Sequence, residues 1–129
     1  MSRDEQGSVA IGVALVGVVL VFMLGVGMVG VAASTYAAAA TAADAAALAS
    51  APVTFRPFGA LGSPEDEAVR FAKANGATLV RCDCRIERSW ETRTVSVTVA
   101  RRITLPILGG IVIKATSRAV FDPSALLTP

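Results

Sequence analysis

The chain has 129 residues, 53% of them hydrophobic, with a formal net charge of +2 and no histidine. Such a composition excludes a multidomain enzyme and most disordered classes, and the missing histidine excludes His-dependent triads, His-ligated metals and imidazole switches. The average hides a split: 33 of the first 50 residues are apolar, against 36 of the remaining 79.

Residues 1–7 form a short polar start, expected on the cytoplasmic side. Residues 8–33 then carry no charge, Pro, Asn or Gln. A helix of that length spans about 39 Å at roughly 1.5 Å per residue, enough for a ~30 Å hydrocarbon core. The expectation is a transmembrane helix. The apolar run is about twice the length of a signal-peptide core, so a retained anchor is preferred, although Ala32-Ala33-Ser34 fits a small-residue cleavage site. Arg3 precedes the span and no Lys or Arg follows it until Arg56. The positive-inside rule therefore puts the amino terminus in the cytoplasm and the rest outside. Ser8 and Gly12 make a small-xxx-small pair suited to close helix packing in lipid.

Residues 34–51 are Ala-rich and should extend the same helix, to about Ala49, as a stalk. Thr35, Tyr36, Thr41 and Asp44 are its expected exposed residues. An alanine-coated helix has little hydrophobic payload and calls for a closely packed partner. Residues 52–63, rich in Pro and Gly, read as a linker loop opened by Pro52.

A small extracytoplasmic domain is expected over 64–122. Ser63 can cap a helix that has Pro64 first and Glu65-Asp66-Glu67 in its first turn. Ala68, Val69, Phe71 and Ala72 give it an apolar side, and Asn75-Gly76 ends it with Gly76 left-handed. Residues 77–88 alternate as a strand, with Val80, Cys82, Cys84 and Ile86 on one side. Residues 89–92 should turn, and Thr94–Val99 is the clearest strand. Leu105–Gly110 breaks the pattern, Ile111–Val120 offers a third strand, and 123–129 reads as a tail.

Two cysteines occur, Cys82 and Cys84. They are too few for zinc, and C-x-C is not a C-x-x-C redox motif. In an ideal strand their Cα atoms would lie about 6.5–7 Å apart, at the edge of disulfide reach. Buried thiols, an i,i+2 disulfide and an inter-chain bond all stay open. Residues 51–129 hold 11 Lys/Arg against 7 Asp/Glu. Candidates for a basic contact face are Arg81, Arg85, Arg88, Arg93, Arg101 and Arg102. Their alternation with acids favours a solvated face over a nucleic-acid surface. Arg93 and Arg101 share the parity of Val95–Val99, so at least one of them must reach around an edge.

The fold class is thus α+β: a long N-terminal transmembrane helix with an Ala-rich extension, packed on a small antiparallel sheet of two or three strands plus one short helix. This is a pilin-like plan. Asp4-Glu5-Gln6-Gly7-Ser8, the Ala42–Ala49 run, Ala74-Asn75-Gly76-Ala77 before Cys82, the Val95–Val99 strand and the Leu105–Gly110 break occur in that order. In this order the chain resembles the TadE-like family of Flp/Tad pilus-assembly, pseudopilin-like proteins. The likeness is to its short actinobacterial branch, found beside helicase and secretion genes. The resemblance makes Gly7-Ser8 the candidate processing junction. The Glu that the family carries at the fifth mature position is Gly12 here.

The function expected from this is a single-pass structural protein of the bacterial cell membrane, similar to a minor pseudopilin of a Tad/Flp-type pilus or secretion apparatus. The resemblance implies other TadE-like or pilin subunits and an inner-membrane platform as partners. An exported or anchored module binding an acidic partner through its basic sheet face is the alternative. No phosphate loop or nucleophile elbow is present, and Glu65-Asp66-Glu67 is a helix start. No enzyme activity, cofactor, metal or small-molecule substrate is expected.

Overall fold

A computed structural model describes residues 3–55 and 62–127. Residues 1–2, residues 56–61 of the expected linker and the last two residues of the expected tail lie outside them. The chain divides into two compact units, Met1–Ser34 and Thr35–Pro129.

The first unit is the amino-terminal part of helix α1, which runs Arg3–Val53. Helix therefore begins before Ser8, and Gly7 lies inside it. Fifteen large apolar side chains between Val9 and Val31 are 46 to 72% exposed. Burying such a side chain is worth roughly 1.5–3 kcal/mol, so this unit leaves tens of kcal/mol of apolar burial unrealised in water. The segment is long and apolar enough to cross a membrane.

The second unit starts with the alanine-rich part of α1. Thr35, Ala39, Ala42, Ala43, Ala46, Ala47, Ser50, Ala51 and Thr54 are buried. Their spacing of three and four draws one stripe along the helix. Tyr36, Thr41 and Asp44 are exposed, while Thr35 is 8% exposed and belongs to the stripe, contrary to expectation. The buried Ser50 and Thr54 hydroxyls donate to the carbonyls of Ala47 (3.1 Å) and Ala51 (2.6 Å). Pro52 sits in the last turn instead of opening the loop. Its missing N–H would have bonded Leu48, which is 67% exposed, so water can take that carbonyl.

Helix α2, Pro64–Ala74, follows the expected chemistry. The Asp66 N–H donates to Ser63 Oγ at 3.0 Å, and Gly76 has φ +71°. Ala68 and Ala72 are fully buried, and Phe71 is half-buried. Val69 is 43% exposed, so it stands outside the expected apolar side.

Strands β1 (Thr78–Asp83), β2 (Arg93–Leu105) and β3 (Gly109–Phe121) form an antiparallel sheet in that order. β2 and β3 pair without a break from Arg93↔Phe121 to Leu105↔Gly109. Both are longer than the alternation indicated. A three-residue turn joins them, and Gly109 at φ +72° supplies the left-handed residue such a turn requires. β1 stops at Asp83, well short of residue 88. Its register slips between Leu79 and Arg81. This bulge turns Leu79 and Cys82 inward and leaves Val80 49% exposed, reversing the side expected for Val80.

The core joins the α1 stripe and Ala68, Ala72 and Ala77 to Val95, Val97, Val99, Ala115 and Ala119. Its buried members are all Ala or Val, with Phe71, Leu79 and Phe121 partly buried against them. The Ser117 hydroxyl donates to the Asp44 carboxylate, fixing the register of α1 against β3. The expected tail is a short 3-10 helix, Pro123–Leu127, with Pro123 buried.

Candidate functional site

Sheet alternation divides the basic residues. Val95, Val97 and Val99 face α1, so Ser96, Thr98, Ala100 and Arg102 face away. Register carries that outer face across the sheet in rows. One row is Asp83, Ser96 and Arg118; the next is Arg81, Thr98 and Thr116; Thr78, Ala100 and Lys114 follow. The first two rows and Thr94 line an open trough. On its floor the Thr98 and Thr116 hydroxyls are 2.8 Å apart. Arg81, Arg102, Lys114 and Arg118 form no ion pair among the described residues, where the one salt bridge is Arg70–Glu67. Such a surface offers guanidinium and hydroxyl donors to a polar or anionic group.

Of the six arginines singled out from the sequence, Arg81 and Arg102 lie on this face. Arg85 and Arg88 lie in the irregular segment 84–92. Arg93 and Arg101 are on the opposite, inner side. Arg101 lies beneath the α2 terminus, where a Cβ on Gly76 would be 3.6 Å from its guanidinium. Arg118 and Lys114 belong to the outer face and were missed. Both lie within the expected Ile111–Val120 strand, and the register with β2 shows which side of it faces outward.

Arg93 is a tether. Its Nη1 donates to the carbonyls of Thr54 (3.2 Å) and Glu87 (2.9 Å). Its Nη2 donates to Ser89 and, at 3.3 Å, to Glu91. The guanidinium carbon is 5.4 Å from the Phe55 ring centre. Phe55 in turn packs edge-on to Trp90 at 4.8 Å and lies 6.3 Å from Phe121. The Glu87 N–H donates to Thr54 O at 3.0 Å. One side chain thus ties the end of α1, the 84–92 segment and the start of β2.

Cys82 and Cys84 form a disulfide with Cα atoms 5.3 Å apart. The expected strand spacing does not apply, because β1 ends between them and the backbone shortens. Both residues are half-buried against the core, and Cys84 Sγ lies 3.9 Å from Ser50 Oγ.

On the first unit, Ser8 is exposed and nothing stands within 4 Å of where a Cβ on Gly7 or Gly12 would be. The same holds for Gly17 and Gly25. These two leave open apolar notches on either side of Phe22, lined by Ala14, Val18, Val21, Val26 and Val29.

Comparison of the chain with protein-family models, with curated proteins and with solved structures finds no match to any of them.

Proposed function

We propose that this chain is a single-pass membrane-anchored structural protein, similar to a minor pseudopilin of a Tad/Flp-type pilus or secretion apparatus. It acts by helix–helix assembly in the bilayer and by display of the small α+β domain. One observation carries the reading. The same helix is bare along its apolar amino-terminal unit and covered along its alanine stripe. The covered part already has its partner, the sheet; the bare part needs lipid and neighbouring helices. The notches at Gly17 and Gly25 beside Phe22 suit a neighbouring helix by van der Waals packing. The amino terminus is cytoplasmic and the domain extracytoplasmic, in keeping with the Cys82–Cys84 disulfide. Partners are other TadE-like or pilin subunits and an inner-membrane platform, and no catalysis or cofactor is involved.

The test is mass spectrometry of the native chain from the alkali-washed membrane fraction, with cysteine crosslinking at Gly17 and Gly25. Membrane retention with crosslinked oligomers is expected. A mature terminus at Ser8 adds peptidase processing. A soluble chain beginning near Ser34 sinks the anchor, because the apolar segment is then a removed signal.

A second reading rests on the unpaired cations Arg81, Arg102, Lys114 and Arg118. In it, the outer sheet face binds an acidic partner. Charge reversal at Arg81 and Arg118 should then abolish capture of that partner while leaving oligomers intact; unchanged capture counts against it.

A further inference from the structure

The turn of the β2–β3 hairpin carries two adjacent exposed apolar side chains, as the C-terminal 3-10 helix does with Leu126 and Leu127. Ile107 is 71% and Leu108 64% exposed, at the tip of a strand pair whose other large apolar residues mostly face inward. Pro106 precedes them and is exposed too. Behind the tip come Ile103↔Ile111 and then a cluster of cations. Arg102 pairs with Val112, Arg101 with Ile113 and Ala100 with Lys114. Successive residues rise about 3.3 Å, so the cations, three to five residues behind the Leu105↔Gly109 pair, sit roughly 10–17 Å behind that pair and farther behind the tip itself. Arg101 lies on one face of the hairpin, and Arg102 and Lys114 lie on the other.

The direction of the tip follows from contacts within this unit. Phe55 meets Phe121, Trp90 and Glu87 at one end of the sheet. Asp44 meets Ser117 further along. Moving from Phe121 to Ser117 therefore moves from Phe55 toward Asp44. Continued, the same direction leads along β3 to Gly109 and along α1 to Thr35. The hairpin tip points the way the chain enters the unit.

We infer that Ile107 and Leu108 insert into the surface of the bilayer that holds the chain, with Arg101, Arg102 and Lys114 as a basic collar on its anionic headgroups. The inference rests on α1 being a membrane anchor. Interfacial apolar groups enter about 5–10 Å, which the tip-to-collar spacing accommodates. Cations near an anionic leaflet add attraction over the range of a Debye length. Charge complementarity selects lipid over a second copy of this chain, whose second unit is itself basic.

The experiment places a reporter tryptophan in the full chain, reconstituted in phosphatidylcholine–phosphatidylglycerol vesicles. Trp90 is first replaced by Phe, and Leu108→Trp, Ile107→Trp or Phe22→Trp is then added. Lipids brominated in the upper acyl chain serve as quenchers. The expected result is blue-shifted emission and a quenching loss on the order of twofold for both tip variants, as for Phe22→Trp. Adding Arg102→Glu and Lys114→Glu should reduce tip quenching and spare that of Phe22→Trp. Quenching of Phe22→Trp with none at either tip variant overturns this inference and leaves the anchor standing. Blue-shifted tip emission without quenching assigns the tip to a protein neighbour and overturns the lipid assignment. Quenching indifferent to the collar substitutions overturns the role of anionic headgroups. No quenching of Phe22→Trp overturns the anchor and this inference with it.

Discussion

Arg93 donates to the carbonyl of Thr54 across 39 positions of sequence, and the same carbonyl accepts from the Glu87 N–H. The bond closes the far end of the α1–sheet unit. It lets a guanidinium take the place of a strand where the chain is irregular. Arg93→Ala would remove the Arg93 bonds to the Glu87, Ser89 and Glu91 carbonyls and leave the Thr54 carbonyl with the Glu87 N–H alone. A cost of about 2–4 kcal/mol is expected, or a fall in Tm of roughly 10–25 °C for a unit of this size. Arg93→Lys keeps the charge without the planar fork and should recover less than half. Near-ultraviolet circular dichroism on the detergent-solubilised chain reads the transition. A variant as stable as the parent would remove the tether role.

Elements whose chemistry is local were legible before the structure. Helix α2 was, because Ser63 and Pro64 act on residues a turn away. β2 was, because Val95, Val97 and Val99 alternate against Thr and Ser. The tether was not, because its acceptors are backbone carbonyls of residues 54, 87, 89 and 91, which leave no mark on side-chain pattern. Parity did place Arg93 and Arg101 beside the valines. The β1 bulge and the early end of that strand depend on pairing with β2. The faces of Val80 and the geometry of Cys82–Cys84 were therefore misread together. The outer face was half legible: Arg81 and Arg102 were among the candidates, whereas Lys114 and Arg118, inside the expected third strand, needed the β2–β3 register to put them on the same face.

The alanine stripe sets a closeness of approach that larger residues break. Ala46 is fully buried against the sheet, whereas Ala37 is exposed on the same helix. Ala46→Leu should cost about 1–3 kcal/mol by overpacking. Ala37→Leu should stay within about 0.5 kcal/mol. Thermal melts of the two variants compare helix positions of similar propensity, so equal effects would refute the stripe as a packed interface.

The disulfide closes a very short loop, so it constrains the unfolded chain little. The chain-entropy relation gives about 1–2 kcal/mol for a loop of this size. Reduction, or Cys82→Ser with Cys84→Ser, should lower Tm by several degrees without unfolding the domain. Global unfolding on mild reduction, followed by hydrogen exchange, would mean that the bond holds the edge of the sheet as a whole.

Leu79 and Val80 give the sharpest test of the β1 register, because uninterrupted alternation and the bulge assign them opposite faces. Leu79 is half-buried against the core, and Val80 is 49% exposed. With the bulge, Leu79→Ala opens a partial cavity and should cost about 1–2 kcal/mol. Val80→Thr replaces one exposed β-branched residue with another and should lie within about 0.5 kcal/mol. Without the bulge the order of the two effects reverses. Denaturant titration of both variants, with unchanged m-values to show that the unfolded reference is the same, decides between them. If Val80→Thr is the costlier change, β1 pairs with β2 in an unbroken register in which Val80 shares the inner face with Cys82 and Leu79 turns outward.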